Sequence, residues 1–413
     1  MITRAQAYMY WASSGTPVDY ADESATAYHL FAQFKDADAA PITSPYDADV
    51  GDLTFVQTDG TQAASAGKLA FAAQTTPSWG DQGFYGDAIA RRAGQMLIVD
   101  FNISTWEECG FGWHAAAAVV DPDSMEHAIQ LNTTDGTLDN EDGTTIYTGL
   151  STGTDYKLAI VLRAAGAWYY LHDGTQWMLI WITDSGTTAT LYPAFSNLDG
   201  AGSIDNFRVP SFLYIPTMAR YDTFTRANST DLGTTETTGP DGQSVTASAW
   251  AENEGDWRVI SNAVNTTTDT GSRMNITTDA GTANQFLEAT IKTDGGTIAS
   301  LLGRYGSSGA DGWDLGLAVA ANLVILYEVN SGSRTSRATK SVSISADTTY
   351  NMKMRMIGNE IMYWMDQTNQ HVYASATAHA AQTEVGTLHY KAVDERTYDI
   401  AAWYSIPPDF PQV

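Results

Sequence analysis

The stretch TTYNMKMRMIGNEIMYWMD, residues 348 to 366, constrains this chain more than any other. Met352, Met354 and Met356 recur at every second position, with Asn351, Lys353 and Arg355 between them. A helix repeats every 3.6 residues and has no use for that spacing, whereas a strand with one buried face requires it. Gly358, Asn359 and Glu360 interrupt the run, and Ile361 to Met365 resume it, so the segment reads as a β-hairpin. TDYKLAIVLRAAGAWYYLHDG, residues 154 to 174, follows the same plan, with Leu158, Ile160 and Leu162 in the places of the three methionines. Methionine stands where leucine and isoleucine also serve, which marks the stripe as core filling and not as a sulfur ligand set. Lys353 and Arg355 are expected on the opposite, solvated face.

The parallel extends beyond the hairpin. GQMLIVDFNIS (94 to 104), CGFGWHAAAAVV (109 to 120) and EHAIQLNTTDGTLD (126 to 139) have later counterparts in NQFLEATIKTD (284 to 294), SLLGRYG (300 to 306) and GWDLGLAVAANLVILYEV (312 to 329). GSIDNFRVP (202 to 210) and RTYDIAAWY (396 to 404) close the two halves. Many short alternating segments with Gly, Asp and Asn at their ends indicate antiparallel β-sandwiches. The expected fold is therefore all-β, with two tandem sandwiches that arose by internal duplication. The expected divisions are an arm at 1–25, a first sandwich at 26–210, an apolar link at 211–218, a second sandwich at 219–408 and a tail at 409–413.

Composition limits the partners. The 413 residues carry a net charge of -27 with 21 basic residues in all, which disfavours nucleic acid and anionic membranes, since phosphate binding needs a concentrated basic face. Cationic partners, metal ions or a salty medium fit this balance better. The one cysteine, Cys109, excludes an internal disulfide framework. The opening residues lack the continuous apolar core of a signal peptide, and no run has the length of a membrane span, so no membrane insertion is expected.

The hairpin at 154–174, the closing GSIDNFRVP, the hairpin at 348–366, and the series YDTFTRANSTDLG (221 to 233), Trp250 and GDWRVISNAV (255 to 264) together resemble the laminin-G-like (LamG) branch of the concanavalin A-like lectin/glucanase fold. The first half departs from that pattern in its opening, YHLFAQFKDADAAP. The resemblance implies jelly-roll sandwiches of the kind found in phage and bacterial surface proteins. It does not settle function, because the fold hosts lectins, glycan-cleaving enzymes and adhesion modules. The Glu-x-Asp-x-x-Glu strand of the glycan-cleaving branch has no match here. Glu107 and Glu108 are adjacent and would point in opposite directions on a strand, and Asp394 and Glu395 share that defect. The seven histidines do not cluster at zinc-site spacing. No catalytic residue is assigned, and a non-enzymatic protein is expected; two carboxylates facing each other in a cleft would revive a glycan hydrolase or lyase.

Two loops carry the candidate binding residues. TTDGTLDNEDGTT (133 to 145) offers Asp135, Asp139 and Asp142, and SSGADGWDLG (307 to 316) offers Asp311 and Asp314 around Trp313. Calcium is the ion such oxygen-rich loops would take, as LamG-like members often bind it at the sandwich rim; two tight Asp-Gly turns are the structural alternative. Trp79 and Trp313, each in a Gly-rich polar loop, are the candidate platforms for stacking a sugar ring. The leading expectation is a structural or adhesion protein on the surface of a virus (phage) particle, decorating the capsid or associated with the tail. Its partners would be other virion proteins or further copies of itself, and host-surface glycan. The alternative is a carbohydrate-binding protein of a microbial surface, extracellular or at the cell surface.

Overall fold

Strands that bury one face need a second sheet to bury it against, and the described residues of this chain form four antiparallel sheets in two pairs. The computed structural model describes residues 27–34, 42, 44–105, 108–132, 136–267, 274–294, 298–366, 371–390 and 395–411. The arm at 1–25, Asp135, Glu107 and Asp394 lie outside them. The all-β fold with two tandem sandwiches is the one formed. Among the described residues the helical turns are the short segments Pro122–Ser124 and Val319–Ala321, and no helix is long and apolar enough to cross a membrane.

In the first sandwich, sheet I runs Trp177–Thr183, Ala167–His172, Asp155–Leu162, Met96–Thr105, Ala201–Pro210, Lys68–Ala72 and Thr61–Ser65, with Tyr28–Ala32 also on Ala201–Pro210. Sheet II faces it and runs from Thr145–Thr148 at one edge to Tyr46–Asp47 at the other. In the second sandwich, the central strands of sheet III are Arg396–Tyr404, Gln285–Lys292, Thr349–Ile357 and Glu360–Met365, and sheet IV spans Ala251–Glu254 to Ser333–Ser341. In both halves the first strand pairs with the last: Tyr28–Ala32 with Ala201–Pro210, and Met218–Asp222 with Arg396–Tyr404.

Met352, Met354 and Met356 are fully buried in the second core, as their spacing predicts. The methyls of Met354 and Met356 lie over Gly303 of sheet IV, where a Cβ would collide with that of Met356. The glycine is thus a close-approach position between facing sheets.

The expectation for Lys353 and Arg355 is corrected. Both lie on the far face of sheet III, yet their side chains are 0% and 1% exposed. That face packs against the flank of the first sandwich, formed by Trp177–Thr183 and Thr145–Thr148. Lys353 Nζ donates to the Ile182 carbonyl at 2.7 Å and stands 4.6 Å from the Trp181 ring. Arg355 donates to the Ile146 carbonyl at 3.0 Å, and the Trp364 indole N–H to that of Thr145 at 3.1 Å. Trp181 and Trp364 meet with ring centroids 4.9 Å apart. Phe286, Met362, Trp364 and Trp403 of the second half thereby join the core of the first in one apolar cluster. Alternation identified the correct face for the two basic residues; a neighbouring domain covers it where water was expected.

Charge accompanies this apolar seam. Lys353 lies 3.4 Å from Glu288, and Arg163 pairs with Asp184 and, at 2.8 Å, with Asp241 of the second half. Burial raises the Glu288 carboxyl above its ordinary range despite Lys353, whereas Lys353 and Arg163 outweigh burial at Asp184 and lower it. The join at 211–218 is docked as well: the Tyr214 N–H donates to the Gly94 carbonyl at 2.8 Å, and its ring meets Phe410, which lies 4.3 Å from Trp177.

Candidate functional site

Beyond the part of sheet I where Tyr214 and Phe410 pack on Tyr170 and Trp177, the outer face opens into a pocket. Strand Met96–Thr105 buries Val99, Phe101 and Ile103 and turns Asp100, Asn102 and Ser104 to the other side. Asp155–Leu162 presents Asp155 and Lys157 there, Ala167–His172 presents His172, and Ala201–Pro210 presents Ser203 and Asp205. The cavity holds about 310 Å3, at the lower end of the range for small-ligand sites. Lys68 and Gly174 complete its walls, and Phe101 and Tyr156, stacked at 5.6 Å, also line it.

The register places these side chains in two rows across the sheet. Asp205 faces Asp100, Asp100 faces Lys157, Lys157 faces His172 and His172 faces Trp177. Lys68 sits one residue beyond the Leu69 that pairs with Ile204, which puts it at the other end of the same row. The row therefore reads cation, carboxyl, carboxyl, cation, imidazole. The adjoining row is Ser203, Asn102 and Asp155. Lys68 reaches Asp155 at 3.8 Å, a bridge that spans from one row to the other.

Hydrogen bonds fix most of this lining. The Asn102 amide donates to Asp155 at 2.9 Å. Asp100 accepts from Arg208 at 3.2 Å and Asn206 at 3.1 Å, and lies 3.5 Å from Lys157. Asn206 adopts φ of 46° within an irregularity of the strand, which turns its amide toward Asp100. Asp205 accepts the Asn206 backbone N–H at 2.7 Å. Burial, joined by the neighbouring Asp100 charge, pushes the Asp205 carboxyl up to about 6 against the pull of that backbone N–H. The Gly174 N–H donates to His172 Nδ1 at 3.1 Å, so the neutral ring carries its proton on Nε2. Burial and then Lys157 lower the His172 imidazole, which favours that neutral form. The pocket thus offers carboxylate acceptors, ammonium donors, an amide, a hydroxyl and an imidazole N–H on one rigid sheet.

The residues singled out from sequence lie elsewhere. Trp79 is half-buried in the loop before strand Gln82–Gly86, where Gln74 and Ser78 bond to each other across the turn. Trp313 is corrected as a sugar platform: it is 1% exposed, its indole N–H donates to the Ala378 carbonyl at 3.1 Å, and its ring packs 5.6 Å from Tyr373. Asp314 is fully buried and paired with Arg334, whose guanidinium also lies over the rings of Tyr327 and Tyr390. Asp311 instead accepts the Ser331 N–H at 2.6 Å, so the two carboxylates serve different partners. In the earlier loop Asp139 is buried and Asp142 exposed. Asn140 Oδ1 accepts the N–H groups of Asp142 and Thr144 and closes the turn. Asp123, raised by burial, feels Asp121, Asp139 and Asp142, so these carboxylates share a neighbourhood. Among the described residues no three His, Cys, Asp or Glu side chains converge to hold a metal ion; Asp135, the remaining candidate of this loop, lies outside them.

A denser titratable cluster, inside the first sandwich, is closed on itself. Arg91 donates toward His127 Nε2 at 3.0 Å and to the Gly166 carbonyl at 2.7 Å. The Tyr169 hydroxyl donates to Glu141 at 2.7 Å, and Glu126 takes the Thr188 N–H and hydroxyl. With His127 fully buried, the network ties the two sheets together and offers no surface to a ligand.

No protein-family description matches the sequence, and no curated protein matches it. Solved structures are similar to parts of it. The carbohydrate-binding module CBM66 from Bacillus subtilis is 15% identical and covers 37% of this chain and 94% of its own, with a TM-score of 0.33. The metal-free exoplasmic/lumenal domain of VIP36 is 10% identical, covers 48% of this chain and 97% of its own, and has a TM-score of 0.31. The galectin LEC-6 of Caenorhabditis elegans is 9% identical, with 33% and 93% coverage and a TM-score of 0.26.

Proposed function

We propose that this chain is a non-catalytic carbohydrate-binding protein of a surface, with the pocket on sheet I as its sugar site. The observation that carries this reading is the pocket's mixed lining. Sugar hydroxyls both donate and accept, and a site that pairs them needs acceptors such as Asp205 and Asp155 beside donors such as Lys68, Lys157 and Asn102. The side chains stand on strands held by the register of several neighbours, so little ordering cost falls on binding. LamG-like membership rests on the sequence motifs already quoted. Display in many copies on a virus particle is the finer form of the proposal, supported by tandem sandwiches fused into one unit, a single cysteine and the acidic, threonine-rich chain. Many copies would multiply a weak single-site affinity.

The facing carboxyls Asp100 and Asp205 are the arrangement that favours a second reading, glycan hydrolysis. Against it, both oxygens of Asp100 are engaged by Arg208, Asn206 and Lys157, so the carboxylate that would act as base or nucleophile is already occupied.

The test is a multivalent glycan array, run with calcium and with chelator, on the intact chain and on Ser203→Tyr, which fills the cavity. Selective binding that falls at least tenfold in the variant is expected, with no reducing ends released. Binding unchanged by Ser203→Tyr would place the site elsewhere, Trp79 first, and release of sugar would replace the reading with hydrolysis.

A further inference from the structure

We infer that the pocket selects amine-bearing sugars, seating a ligand ammonium on Asp205 while Asn102, Ser203 and the flanking lysines take the ring hydroxyls. This inference rests on the carbohydrate reading of the same pocket.

Charge bookkeeping across the cavity leads to it. Asp155 has Lys68 at 3.8 Å, and Asp100 has Arg208 at 3.2 Å and Lys157 at 3.5 Å. Asp205 is the lining carboxyl with no cation of the described residues within ion-pair distance; its recorded hydrogen bond is from the Asn206 N–H. Asp205 sits in register opposite a second carboxylate, so the centre of the row repels itself. A cation placed there relieves the repulsion and pairs Asp205, whereas an acetamide at the same position does neither. The net charge of -27 adds a long-range attraction of the same sign. A cavity of about 310 Å3 with hydroxyl-binding groups on both rows separates this arrangement from a bare acidic patch.

The groups facing Asp205 are Asp100 and Asn102 on one neighbouring strand, Lys68 on the other, Arg208 on its own strand, and Lys157 and His172 beyond. With Asp205 pushed up to about 6, a ligand ammonium displaces its proton. Preference for the amine therefore rises with pH through that region and declines on acidification.

The experiment compares a short glucosamine oligomer with its N-acetylated counterpart by titration calorimetry from pH 4.5 to 7, at about 0.15 M salt, where long-range attraction is screened within about 8 Å. The expected result is at least tenfold tighter binding of the amine at pH 7. That ratio should fall toward one at pH 4.5 and lose its pH dependence in Asp205→Asn. The wild-type ratio across pH decides the matter even if that variant folds poorly. Equal binding of both oligomers, lost in Ser203→Tyr, would overturn the amine preference and leave the sugar site standing. Binding of neither would overturn both.

Discussion

His389 shows how one residue couples packing to pH. Its ring lies 4.9 Å from Trp257 inside the second sandwich, and Nε2 is 3.1 Å from the Thr397 hydroxyl. Burial pushes the imidazole down from its ordinary 6.5 to about 3. The folded state thus refuses a proton that the unfolded chain accepts below 6.5. The stability this contributes is complete above that value and is lost as pH falls toward about 3. Loss of about 2 kcal/mol from this group alone is expected at pH 5. Urea denaturation of the wild type and His389→Gln between pH 7.5 and 5 measures it: the variant's stability should depend less steeply on pH. Parallel pH profiles would show that His389 is not held neutral. At the same scale the three methionines were legible from sequence, because a period of two identifies a buried face whatever side chain fills it. The burial of Trp313 was not, since a tryptophan in a Gly-rich stretch reads as exposed until the strand Gly312–Ala318 that holds it is known.

Strands explain both the success and the gaps. Each hairpin could be read locally, because its alternation and turn residues lie within about twenty positions. The pocket could not, although every strand that forms it could be recognised. Lys68, Asp100, Lys157, His172 and Asp205 come from five strands scattered over more than a hundred residues and meet only through inter-strand register. The available signal was a charged residue at alternate positions of otherwise apolar strands, in VDFN, DYKL and SIDNF. Lys353 and Arg355 carry the same signal on sheet III, and there it marks a domain seam. The seam makes its own prediction. Lys353→Met leaves Glu288 buried without its cation and should cost about 3–5 kcal/mol. Lys353→Met combined with Glu288→Gln should recover most of that loss in equilibrium denaturation. Additive losses in the double variant would mean that the two residues do not form a unit.

At the scale of the molecule, the link and the last described residues divide the outer face of sheet I into two territories. Around Tyr170 and Trp177 the outer face is covered by Tyr214 and Phe410; around Asp100 the same face stays open and becomes the pocket. The pocket is lined wholly by residues of the first sandwich. The acidic chain, the fused pair and the mixed lining agree in pointing to recognition. The most direct test is to locate the ligand: a glycan selected on the array is added to isotope-labelled protein, and amide shift changes are mapped along the chain. Changes centred on Asp100, Asn102, Ser203 and Asp205 are predicted. Changes centred on Trp79 or on the loop holding Asp139 and Asp142, with these four positions unmoved, would contradict the assignment of the site.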